Sequence, residues 1–261
     1  MAGPTARRTR TTLAPATRTS STIITRTDNA SGLPDTVRLV RALQFGDSVL
    51  PVGAFSFSNG LEAAVQLGMV SDLETLRGFV TTAVEQSATS DGVGVLHAFR
   101  AAAAGDMPRV LLVDQAVHHR KLNEEMRLMT VRMGRKLAEM ATHVAPSPLV
   151  AQWLAAIQDG SAPGTYPVGQ ALVFSSLGLA EHDAFGVSQY GLASMMLGAS
   201  LRLMRINYLD VQQLLFELNG HVDAAYQRVC EWELADMAAF SPLFDIAAAA
   251  HVKAHVRMFM N

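Results

Sequence analysis

From Val37 to the C-terminus, apolar residues return every third or fourth position, and the pattern is repeatedly cut by residues that start or stop helices. No run alternating apolar with polar residues competes with it, and no fixed-period repeat is present. This punctuated helical spacing confines the chain to an all-α fold, predicted as a single-domain helical bundle of about ten helices.

Several of the boundaries are specific. Asn59 and Glu62 have the spacing of a capping box, predicting a helix through Leu61, Val65 and Leu67 that ends at Gly68. Ser71 and Glu74 repeat the spacing ahead of Leu73, Leu76, Phe79, Val80 and Val84, which form one apolar face, and a third helix holds Val95, Leu96 and Phe99. Gly105, Asp106 and Pro108 make a stop and a new start, opening a long helical segment toward Met140. Within that segment Met126, Met129, Met133 and Leu137 form a stripe best explained as core.

Pro146 and Pro148 close this half, and "DGSAPGTYPVG" is expected to be a loop before a helix over Ala171 to Leu179. Asp183 is expected to cap a helix whose run from Leu192 to Leu203 lies in the middle of the bundle. Helices are predicted from Asp210 to Leu218 and from about Asp223 to Trp232, and a last element begins at Pro242.

Composition narrows the class of function. Hydrophobic residues make up 49% and charged residues 17%, which fits a helix-rich globular chain. A formal net charge of -2 supplies no basic field of the kind nucleic-acid binders use, so a protein or small-molecule partner is favoured. The single cysteine, Cys230, rules out an internal disulfide, reads as buried filler and fits a reducing cytoplasm. No apolar run is long enough to span a membrane, since Arg202 and Arg205 break the stretch from Met195 to Ile206. Residues 1–35 are rich in Arg, Thr and Ser and are expected to form a disordered tail ahead of an all-α domain over 36–261.

Catalytic signatures are absent. There is no GxxxxGK[ST] or GxGxxG phosphate motif, no GxSxG and no HExxH. His118 and His119 are adjacent and diverge on a helix; His251 and His255, four apart on one face, have a metal-ligand spacing but need a third ligand from elsewhere. Two features suit binding instead. One is "LPVGAFSFSNGLE", Leu50 to Glu62, where Pro51 and Gly53 make a sharp entry, Phe55 and Phe57 anchor the loop, and Asn59, Gly60 and Glu62 launch a helix. The other is the chain end, where Arg257, Met258, Phe259 and Met260 are residue types common at protein interfaces.

These residues resemble the urease accessory protein UreF family. Leu50, Pro51, Gly53, Phe55, Ser58, Gly60, Leu61 and Glu62 match its LPxGxFxxSxGLE pattern. Glu125, Arg127 and Gly134 match ExRxxxxxxG; Tyr166 to Gly178 resembles YPVxxxxxxxxLG; Asp210, Gln212 and Leu215 match DxQxxL. The final "HVKAHVRMFMN" stands for HExxYxRLFxS, keeping Arg257 and Phe259 but with Val252 for Glu, His255 for Tyr, Met258 for Leu and Asn261 for Ser; Thr165 stands where a His is frequent.

The resemblance implies an all-α, dimeric, cytoplasmic chaperone without catalytic activity that bridges UreD, also called UreH, to the GTPase UreG in delivering nickel to apo-urease. Nickel and GTP then act through partner proteins, with no cofactor bound directly, and the segment from about 242 to 261 is expected to order on partner binding through Phe55, Phe57, Arg257, Met258, Phe259 and Met260. Neither a nucleic-acid nor a membrane partner is implied. Two alternatives remain: a helical metal carrier or metal-dependent enzyme using His251 and His255, and a nucleic-acid regulator using the Arg-rich tail.

Overall fold

The computed structural model describes residues 34–240 together with Met1, Gly3, Pro242, Phe244, Ile246, Met258 and Phe259. Among them the architecture is all-α, with eleven α-helices and no strand. The predicted tail up to residue 33 lies outside the described residues apart from Met1 and Gly3, as do Arg257, Met260, His251 and His255.

The first helices frame the opening loop. α1 (Asp35–Gly46) leads to a single 3-10 turn, Ala54–Ser56, and the short α2 (Leu61–Gln66) follows. α3 (Leu73–Ser87) is started by Asp72, whose side chain accepts from the Thr75 amide while Thr75 Oγ1 accepts from the Asp72 amide. The capping box is therefore real but one residue later than Ser71 and Glu74, because a carboxylate at Asp72 is the better acceptor for a helix N-terminus. α3 runs through a π-helical turn, Ala88–Gly92, directly into α4 (Val93–Ala104).

Asp106 caps α5 (Met107–His119), and α5 is separate from α6 (Glu124–Val144). The expected continuous helix is broken because Asn123 accepts from the amides of Glu125 and Met126 and so starts a new one. Of the methionine stripe, Met133 and Leu137 are buried in the core while Met126 and Met129 are half-buried. α7 (Pro148–Asp159) was not expected from the sequence; Pro148 starts it instead of closing the half, since proline fits a first turn. α8 (Tyr166–Ser176) begins five residues before Ala171, again on a proline, Pro167.

α4 and α8 are the centre of the molecule: every residue from Val93 to Phe99 and from Pro167 to Phe174 is buried. α9 (Glu181–Leu203) packs beside them and against α3, α10 (Tyr208–Asn219) and α11 (Val222–Val229). Asp183 lies inside the first turn of α9 and does not cap it; its carboxylate meets His182 Nε2 at 3.2 Å and adds negative charge at the helix N-terminus. Cys230, at the end of α11, is half-buried against the edge of the core and not fully buried filler.

Asp114 of α5 binds the turn between α7 and α8. Its carboxylate accepts from Trp153 Nε1, the amides of Gly164 and Thr165, and Thr165 Oγ1, at 2.6 to 2.9 Å. Burial pushes this carboxyl up from the ordinary aspartate range, and the four donors oppose it.

Candidate partner interface at the loop and the chain end

The segment from Leu50 to Glu62 folds as a knot of short-range bonds. Gly53 (φ 98°) and Gly60 (φ 82°) both occupy the left-handed region, which lets the chain reverse on either side of the 3-10 turn. Leu50, Val52, Ala54 and Phe57 point inward; Phe57 is 4% exposed and belongs to the core. Phe55 is 60% exposed and carries the surface of the loop. The sequence expectation that both rings face a partner is therefore corrected for Phe57, whose ring is already covered by the protein itself.

The Asn59–Glu62 capping box does not form. α2 has Gly60 as its N-cap with no side-chain cap. The Glu62 amide donates to Ser58 Oγ at 3.2 Å, and Asn59, itself at φ 51°, points Nδ2 toward Met196 Sδ at 3.7 Å. The positive φ at Asn59 rules out the extended geometry that a capping asparagine needs. The Glu62 carboxylate instead bridges its own helix and the chain end: Oε1 accepts from Gln66 Nε2 at 3.3 Å and from the Met258 amide at 2.7 Å, and Oε2 from the Phe259 amide at 2.9 Å.

Arg202, from the last turn of α9, completes the arrangement. Its Cζ lies 3.9 Å from the Phe55 ring centroid and 4.1 Å from the Phe259 ring centroid. The guanidinium thus meets the faces of both rings. Its Nη2 donates to the Phe55 carbonyl at 3.1 Å, while its buried Nε has no hydrogen-bond partner among the described residues. Burial lowers the guanidinium pKa from its usual value, and the two π faces supply attraction in place of water.

The approach of the chain to this point is also held by its backbone. Arg120 donates to the carbonyls of Leu234 and Met237 at 3.3 and 3.0 Å. Thr89, in the π-helical turn, donates through Oγ1 to the Ala238 carbonyl at 2.8 Å, and its own carbonyl accepts from the Ala238 amide at 3.0 Å. The Phe240 amide donates to Gln86 Oε1 at 2.7 Å, and the Phe244 ring stacks on Phe79 with centroids 4.2 Å apart. Beneath this path lies a cavity of about 160 Å³ lined in part by Met126, Met129, Met133, Tyr166 and Gln170.

Of the sequence-predicted site residues, Phe55, Gly60, Glu62, Met258 and Phe259 are brought together. Pro51 is exposed at the loop entry. Arg257, Met260, His251 and His255 lie outside the described residues, and among the described residues no group of three or more His, Cys, Asp or Glu could hold a metal ion. Arg202 was not among the residues singled out from the sequence, and Ser58 was named only as part of the loop motif. The only signal for Arg202 was a charge inside the apolar run of α9, which sequence reasoning used merely to exclude a membrane span. No helix among the described residues is long and apolar enough to cross a membrane.

The model of the UreF family matches residues 70–219. The chain is also 52% identical over 223 residues to urease accessory protein UreF 2 of Brucella canis, covering 85% of this chain and 92% of that one. The chain belongs to the UreF family. UreF of Yersinia enterocolitica is 49% identical over 223 residues, covering 85% of this chain and 98% of its own length. Both UreF relatives are urease accessory proteins by name.

Proposed function

We propose that this UreF-family chain is a non-catalytic adaptor of urease maturation, bridging UreD (UreH) to the GTPase UreG so that nickel reaches apo-urease. Nickel and GTP are cargo and fuel of the partners, and the adaptor works in the cytoplasm as a homodimer, without nucleic-acid or membrane partners. In this reading residues 36–261 form the working domain and residues 1–35 a tail. The family assignment supports the setting. The observation that carries the reading is the single surface formed by the Phe55 loop and the chain end, two segments about two hundred residues apart in sequence.

The exposed side chains of Phe55 and Met258 offer a partner apolar contact, and Arg257 adds a guanidinium able to grip a carboxylate in two bonds. The test is co-purification with UreD and UreG, comparing the full chain, Arg257→Ala, and a chain ending before His251. Complex formation lost in the truncated chain and weakened in Arg257→Ala is the expected result. Recruitment of UreG by Arg257→Ala at wild-type affinity removes Arg257 from the interface; no complex with any form overturns the adaptor reading and turns attention to His251 and His255 as metal ligands.

A further inference from the structure

Glu62 is 2% exposed, so its carboxylate needs donors to offset lost hydration. Two of them are consecutive backbone amides, Met258 and Phe259, one on each oxygen. Charge-assisted bonds of this kind are about twice as strong as neutral ones, and the two-point geometry fixes the direction of the bound segment, which bends so that both amides face one carboxylate. The neighbouring side chains are treated differently: Met258 is 63% exposed, whereas Phe259 is 3% exposed and packs on Arg202. The arrangement therefore reads two amides and one ring, and leaves the side chain between them unread.

We propose that Glu62, Arg202 and Phe55 form a peptide-binding site for a bent segment bearing an aromatic residue, and that its resident ligand is this chain's own Met258–Phe259 segment. Glu62 orients the segment. Arg202 selects the ring, because a planar guanidinium can stack on two rings whereas a lysine ammonium cannot. Phe55 forms the outer wall, so the family loop and the terminus hold each other through a residue, Arg202, that belongs to neither. The site is built within one chain and does not depend on the adaptor reading.

The test uses the full-length protein with no partner present. Hydrogen exchange at the Met258 and Phe259 amides is compared for wild type, Glu62→Gln and Arg202→Lys, with melting temperature checked in parallel. Glu62→Gln replaces one acceptor oxygen by an NH2 facing a donor, and Arg202→Lys keeps the charge but loses the stack. Both variants should exchange these amides about tenfold faster or more, while the core amides of α4 and α8 stay protected. Unchanged exchange in a folded Glu62→Gln or Arg202→Lys overturns the site.

Should a variant fail to fold, a synthetic peptide of the last seven residues added in excess to wild type decides the matter. Faster exchange of the resident amides with this peptide, and none with its Phe→Ala version, supports the site. Equal competition by both peptides, or by neither, overturns it.

Discussion

The indole N–H of Trp153 donates to Asp114 Oδ2 at 2.9 Å, and neither side chain meets solvent. With the amides of Gly164 and Thr165 and the Thr165 hydroxyl on the same carboxylate, α5, α7 and α8 converge on one buried group. Asp114→Ala leaves four donors without their acceptor and should cost more than about 3 kcal/mol in urea unfolding. A loss under about 1 kcal/mol would mean that water or a shifted turn replaces the carboxylate.

His118 predicts a pH effect on stability. Burial first, then repulsion from His119 and Arg127, holds its pKa below the ordinary value of 6.5, with Asp114 opposing. The folded state thus resists protonation, while the unfolded chain takes up a proton near 6.5. Stability from this group is complete above that pH and is lost progressively as pH falls to the folded pKa. The urea midpoint should drop between about pH 7.5 and 5.5, and His118→Gln should drop less; equal slopes would remove His118 as a source.

Gly134 sets two opposing effects against each other. Alanine in a helix interior is favoured over glycine by about 1 kcal/mol. A Cβ at this position, however, would collide with the Gly164 carbonyl and the Thr165 backbone, in the turn that Asp114 holds. Overpacking costs about 1 to 3 kcal/mol and more when the obstacle is backbone, so Gly134→Ala should lower the melting temperature. A rise would show that α6 moves away at little cost.

Phe216 on α10 is 80% exposed and contributes nothing to the core. Phe216→Ser should leave the stability of the isolated chain within about 0.5 kcal/mol of wild type. A larger loss that depends on protein concentration, seen by repeating the melt over a dilution series, would place α10 in contact between copies.

The helical class was legible because three-and-four spacing survives from α1 to α11, and Gly134 already stood out in a family motif before its contact with the 164–165 turn was visible. Local rules failed where two signals overlapped. Asp72 outcompeted Ser71 as a cap, and Asn123 split one expected helix into two. Pro148 was read as an end and Pro167 as part of a loop when both lie in first turns, which hid α7 and shortened α8. In the candidate site, the loop and terminus could be named from residue types, but their meeting could not. It depends on Arg202 at the far end of α9 and on Glu62 reaching from α2 to amides about two hundred residues away, relationships without local periodicity.

The grip on the C-terminal path is chiefly a grip on main chain: Arg120, Thr89, Gln86 and Glu62 touch amides and carbonyls that every residue type except proline provides in full. Such a mooring tolerates drift in the letters it holds. Methionine in place of leucine at position 258 leaves the bond from its amide to Glu62 intact, and its side chain remains turned outward. The terminus can therefore diverge to suit a changing partner while keeping its berth, with phenylalanine at 259 as the position where the berth itself restricts the choice.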